Sequence, residues 1–304
     1  MDIRLQQLFK GLLLGLGLIV PRLLHADVSA DTMLAANAAL DSYETSPIEV
    51  VAPGTPEETE AAPVANAAPA EEESKTLLQD LLKDYNINPS GSITLDYYNR
   101  YVWRGQYLDR DPVLQPGLTL SAAGFSVGYW SSWDMENVDM LSSDESDYFA
   151  SYSYTYDIFT LTGGHTWYSF PTAQTSSKEY FGSIAVNTFL SPVISYYHDY
   201  EDGKDLGQGR GDYYSLALSR TLDVYKKYGI NATLGGTVGY IDHQWINGTG
   251  WHFTPTAAIN IPVTKSMIVS PTIGYNFTQG DLRDPAVANQ ERHGYGGVHT
   301  VVTF

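Results

Sequence analysis

From Ser92 to Phe304 the chain keeps one rule, a hydropathy period of two broken at regular intervals by turn residues. Successive side chains on a β-strand point to opposite faces, so such a pattern makes two-faced ribbons. In the first segment Ile93, Leu95, Tyr97, Asn99, Tyr101 and Trp103 share one face, and Thr94, Asp96, Tyr98 and Arg100 the other. Eleven more segments follow, at roughly 112–121, 124–132, 146–156, 158–168, 178–187, 190–200, 212–222, 228–241, 250–260, 265–277 and 293–304. Most have the length, about 9–13 residues, that a tilted strand needs to cross a bilayer. The connections alternate too. Those at Ala122-Ala123, Asp157, Thr188-Phe189, Asp223–Lys227 and Ile261–Thr264 are short, and those at 104–111, 133–145, 169–177, 201–211, 242–249 and 278–292 are longer and more polar. Twelve antiparallel strands with turns at one end and loops at the other predict an all-β, closed transmembrane barrel over 91–304. A soluble sandwich also has short alternating strands, but it rarely sorts its loops by length.

The two faces differ as lipid and water require. Outward candidates include Leu114, Leu118, Leu120, Phe125, Val127, Tyr152, Tyr154, Phe159, Leu161, Leu216, Leu218, Leu234 and Ile273. Their in-phase partners are small or polar, among them Gln115, Thr119, Ser151, Ser153, Thr160, Thr162, Ser219, Thr233, Thr237, Ser270, Thr272 and Asn276. Unpaired sheet edges cannot sit in lipid, so the sheet must close. Trp103, Trp133, Trp167 and Trp251 fall near the long-loop ends, and Tyr156 and Tyr228 near the short turns, as two aromatic girdles would. Pro116, Pro192, Pro255 and Pro271 lie inside expected strands, where each removes a ladder donor and so marks a strand end or bulge.

Before the barrel come three segments of other character. Residues 1–26 read as a signal peptide: Arg4 and Lys10, the apolar run Gly11–Val20, then Leu24-His25-Ala26 as cleavage site. Ten apolar residues span only about 15 Å as a helix, half a bilayer core. Residues 27–75, rich in Ala, Pro, Glu and Thr, have too little apolar bulk to offset their ordering entropy and read as a disordered acidic linker. Residues 76–88 carry Leu77, Leu78, Leu81, Leu82 and Tyr85 as one stripe of a short amphipathic helix, ended by Asn88-Pro89. That stripe would lie across the barrel mouth, enter the lumen, or pair with another copy.

Charge and composition close off several functions. The net charge of −18 argues against nucleic acid, and the absence of cysteine removes thiolate metal sites. No cofactor, metal or catalytic set is expected. The phase of the strands turns Asp96, Arg100, Arg104, Glu179, Asp199, His252 and His299 inward as pore-lining candidates, with Arg220 a weaker one. Opposed charges at a constriction would filter solutes, or such pairs would only tie neighbouring strands together. A histidine near the interfacial belt, such as His165 or His198, would suit a lipid-modifying enzyme only with a nucleophile and an orienting group beside it. The acidic stretches Asp139–Asp147 and Tyr200–Asp205 lack the spacing of a calcium loop and read as solvated tips.

Tyr97-Tyr-Asn-Arg-Tyr-Val-Trp-Arg-Gly105, Pro112-Val-Leu-Gln-Pro-Gly117 and Gly124-Phe-Ser-Val-Gly-Tyr-Trp130 resemble the opening of the TorF-like group of proteobacterial outer-membrane porins. The last strand, with Val298, Thr300, Val302 and Phe304 in phase, resembles the terminal signature read by the barrel-insertion machinery. The resemblance implies an outer-membrane channel for small hydrophilic solutes, with outer-membrane lipid and that machinery as partners. Its long loops would be extracellular, and its leader and C-terminus periplasmic. It carries over no ligand residue. A lipid-modifying enzyme and a non-conducting binding or scaffold barrel are the alternatives.

Overall fold

The computed structural model describes residues 88–136, 144–200 and 210–304. The expected signal peptide, acidic linker and, but for Asn88, amphipathic helix lie outside the described residues. The strands are β1 (Ser90–Tyr98), β2 (Tyr101–Trp103), β3 (Gln106–Asp109), β4 (Val113–Ala122), β5 (Phe125–Asp134), β6 (Glu145–Tyr156), β7 (Phe159–Phe170), β8 (Thr175–Val186), β9 (Val193–Asp199), β10 (Gly211–Tyr225), β11 (Ile230–Asp242), β12 (Thr249–Pro262), β13 (Met267–Gly280) and β14 (His293–Thr303). All but β2 and β3 form one closed antiparallel barrel of twelve strands. Its seam is the β1–β14 ladder, from Ser92 opposite Thr303 to Tyr98 opposite Gly297.

The faces sort as the pattern requires. Outward Ile273 and Leu234 are 67% and 51% exposed, whereas inward Ser270 and Thr254 are fully enclosed. In a water-soluble protein this would be inside out; against lipid tails the outer wall loses nothing. Near the short turns the lining residues hydrogen-bond along the wall to the adjacent strand. Ser121 pairs with Ser126 at 2.9 Å, Ser153 with Thr162 at 2.9 Å and Thr221 with Thr233 at 3.0 Å. Asn260 on β12 spans three strands, donating to Asn231 and Thr233 and accepting from Ser270. Small side chains hugging the wall leave this half of the bore polar.

Three prolines sit inside strands, and each breaks only one of its two ladders. Pro116 stays paired with Leu95 of β1 while the β4–β5 register skips from Leu114 to Gly117. Pro255 keeps Gly236 of β11, and Pro271 keeps Val298 of β14. Both interrupt the shared β12–β13 ladder, which skips from Phe253 to Thr256 and from Ala258 to Ile261. Pro192 instead lies in the turn before β9.

The first expected strand needs correction. It leaves the barrel at Tyr98, bends at Asn99-Arg100, and continues as a β2–β3 hairpin folded into the bore. Tyr101 and Trp103 are therefore buried inside, and Trp103 is no part of an outer girdle. Hairpin residues Tyr101, Val102, Trp103 and Tyr107 share an apolar core with Tyr98, Val113, Trp130, Tyr168 and Tyr295 of the inner wall.

Candidate functional site

The hairpin turns at Trp103-Arg104-Gly105-Gln106, with Trp103 paired to Gln106. Arg104 has φ +46° and Gly105 φ +76°. Two consecutive positive φ values match the twist of a two-residue hairpin turn. Gly105 is required twice, since a Cβ there would also lie 2.6 Å from His252 of β12. Arg104 gains nothing from that backbone conformation, which costs a branched or long side chain of order 1 kcal/mol or more. Its side chain must recover the cost.

The guanidinium does so inside a closed cage. It donates to Glu179 of β8 through Nη1 at 2.6 Å and Nη2 at 3.0 Å, and to Gln244 Oε1 through Nη1 at 2.8 Å. Its carbon lies 3.8 Å from the ring centre of Tyr197 on β9, 4.4 Å from Trp103 and 4.8 Å from Tyr213 on β10. Glu179 also accepts from Tyr168 Oη at 3.0 Å and from Gln244 Nε2 at 2.5 Å. Arg104, Glu179 and Gln244 are all buried. A two-pronged arginine–carboxylate pair with every remaining lone pair occupied is the geometry in which a buried charge is tolerated.

Further contacts fix the hairpin around this point. Asn276 of β13 donates to the Gly105 carbonyl at 2.8 Å, and accepts from Thr254, which in turn meets His252 Nδ1 at 3.0 Å. His252 Nε2 lies 2.9 Å from Tyr213 Oη, the two rings stacked. Gln290, in the segment before β14, accepts the Tyr107 N–H at 2.8 Å. The hairpin thus meets the inner wall on most of its circumference and narrows the loop-side half of the bore.

The sequence-chosen residues separate into three places. Arg104, Glu179 and His252 meet at the hairpin tip, with Asp199 one layer out, accepting from Ser177 at 2.5 Å and Trp245 Nε1 at 3.1 Å. Asp96 and His299 pair at 2.7 Å across the β1–β14 seam, partly accessible and away from the tip. Arg100 stands half-buried at the bend between β1 and β2. Arg220 faces outward, over the Phe189 ring at 4.5 Å, because Ser219 and Thr221 hold the inward phase of β10. Glu145 and Asp147, expected on a solvated tip, belong to β6 and are buried inside the barrel. The loop between β11 and β12 also departs from expectation by folding inward, bringing in Gln244 and Trp245; no pattern in its sequence announces this. Tyr197 and Tyr213 were findable, being in phase with inward Ser195 and Ser215.

On the outer wall, His165 Nε2 meets Tyr200 Oη at 2.9 Å, and His198 Nδ1 meets Asp212 at 2.9 Å beside Tyr196.

No curated protein matches the chain by sequence. Among solved structures it is similar to the KdgM porin, at 13% identity over 70% of this chain and 99% of that one, with a TM-score of 0.47. An outer membrane channel from Pseudomonas putida F1 matches at 12% identity over 71% and 95% of the two chains, TM-score 0.41. The β domain of the Bordetella autotransporter BrkA matches at 12% identity over 71% and 98%, TM-score 0.37. A family model described as bacterial protein of unknown function (Gcw_chp) matches residues 88–301, which span the barrel from its first strand into its last, and the chain belongs to that family.

Proposed function

We propose that the protein is an outer-membrane channel for passive diffusion of small hydrophilic solutes, with the β2–β3 hairpin as its constriction. The observation that carries this reading is a closed sheet that is apolar outside and lined with Ser, Thr and Asn inside. Such a wall is useful only if lipid lies outside and water within. The TorF-like resemblance of about residues 92–134 supports the same reading. In it the loops face the cell exterior, the termini face the periplasm, and Phe304 ends the strand that the insertion machinery reads. Asp96, Arg100, Arg104, Glu179, Asp199, His252 and His299 are its lumen charges, and catalysis is no part of it.

One observation favours a second reading. The packed hairpin is what a non-conducting binding barrel would also need. Planar-bilayer recording separates the two when the purified protein is compared with a variant whose residues 99–110 are replaced by a short Gly-Ser linker. The channel reading expects discrete conductance steps several-fold larger in the variant. A variant that is folded, by its heat-modifiable gel mobility, and yet passes no current would transfer the protein to the binding class.

A further inference from the structure

We infer that the cage around Arg104 is a recognition site for guanidinium groups, occupied in this structure by the chain's own arginine, and that guanidinium-bearing solutes are its ligands. The solute half of this inference rests on the channel reading; the binding half does not.

Four of the cage's groups belong to the barrel and its folded loop: Glu179, Tyr197, Tyr213 and Gln244. Only Trp103 arrives with the hairpin. Withdrawing Arg104 would leave Glu179 as an enclosed carboxylate held only by the Tyr168 and Gln244 hydrogen bonds, an unfavourable state without a cation. Asp147 and Asp199 are buried in the same half of the bore, so the local field favours positive charge.

The shape selects among cations. Both Glu179 oxygens accept from the two terminal nitrogens, and the guanidinium carbon lies close to the Tyr197 ring. A planar fork uses both features, whereas an ammonium is a point charge that cannot.

The test uses full-length Arg104→Ala protein in detergent micelles, with methylguanidinium as probe and methylammonium as control. Thermal midpoint and tryptophan emission are the readouts, the latter because Trp103 and Trp245 adjoin the cage. Methylguanidinium should raise the midpoint with half-saturation on the order of 1–10 mM, as suits so small a ligand. Methylammonium, wild-type protein and the Arg104→Ala/Glu179→Gln variant should each respond at least tenfold more weakly. Equal responses to the two cations, or an undiminished response in the double variant, would overturn the proposal. If Arg104→Ala does not fold, Arg104→Lys replaces it, and methylguanidinium must then bind more tightly than to wild type or the proposal fails. Binding is read without current. A protein that binds but never conducts keeps the cage and loses the channel, and the reverse loses the cage alone.

Discussion

At the scale of residues, the Arg104–Glu179 pair decides how firmly the hairpin is held in the bore. Desolvating two charges is expensive, and the return comes from their geometry together with the Gln244 and Tyr168 bonds. Removing one partner strands the other in a dry site. Arg104→Met and Glu179→Met should therefore each cost about 3–5 kcal/mol, the second more because it also strips an acceptor from Tyr168 and Gln244. The double Met variant should cost less than either single one, since neither charge is left behind. Urea unfolding in detergent micelles measures all three, and additive losses would show that the pair is not the latch. The strand phase alone was enough to pick Glu179, Asp199 and His252 as inward residues, whereas Arg104 is inside because the whole hairpin is, Tyr101 and Trp103 included. Phase could not supply Gln244, whose position depends on a loop that folds back through positive-φ residues at His243 and Trp245.

At the scale of elements, the hairpin shows where sequence periodicity stops being informative. β1 and β2 both alternate, so the pattern runs unbroken from Ile93 to Trp103 while the chain leaves the barrel wall at Asn99. A luminal strand packed among aromatic residues and a wall strand facing lipid write the same alternation. The other eleven segments lie within three residues of observed strand ends, because each has an apolar outer face and a small or polar inner one. Residues 104–111 read as a polar loop because Arg104, Gln106, Asp109 and Arg110 hide the pairing of Tyr101–Trp103 with Gln106–Asp109. The far end of the hairpin adds a pH dependence. Burial raises the Asp109 carboxyl above the ordinary aspartate range; Asp134 adds to the rise, and the Asp111 N–H it accepts opposes it. An acid raised on folding stabilises the folded hairpin below its unfolded pKa, and that contribution disappears as pH rises through the folded value. The hairpin should therefore be held most firmly in acid, with channel current rising as pH is increased from about 4. Asp109→Asn should flatten the rise; a profile unchanged by that substitution would assign the dependence to other groups.

At the scale of the whole molecule, the reading depends on which side of the wall meets lipid, and neighbouring residues on one strand can decide it. Leu118 and Thr119 sit together in the middle of β4, with Leu118 exposed outward and Thr119 turned toward the bore. If the outside is a hydrocarbon layer, Leu118→Arg places a charge near the bilayer midplane and costs about 2–4 kcal/mol. Thr119→Arg sends the same side chain into the polar half of the bore and should cost clearly less than Leu118→Arg. A water-soluble barrel would show no such penalty at Leu118, because an exposed leucine exchanged for arginine is there a surface change. Equilibrium unfolding from phospholipid vesicles reads both variants against wild type. The contrast depends on neither conduction nor ligand, and so it tests the premise from which the channel and the cage both take their setting.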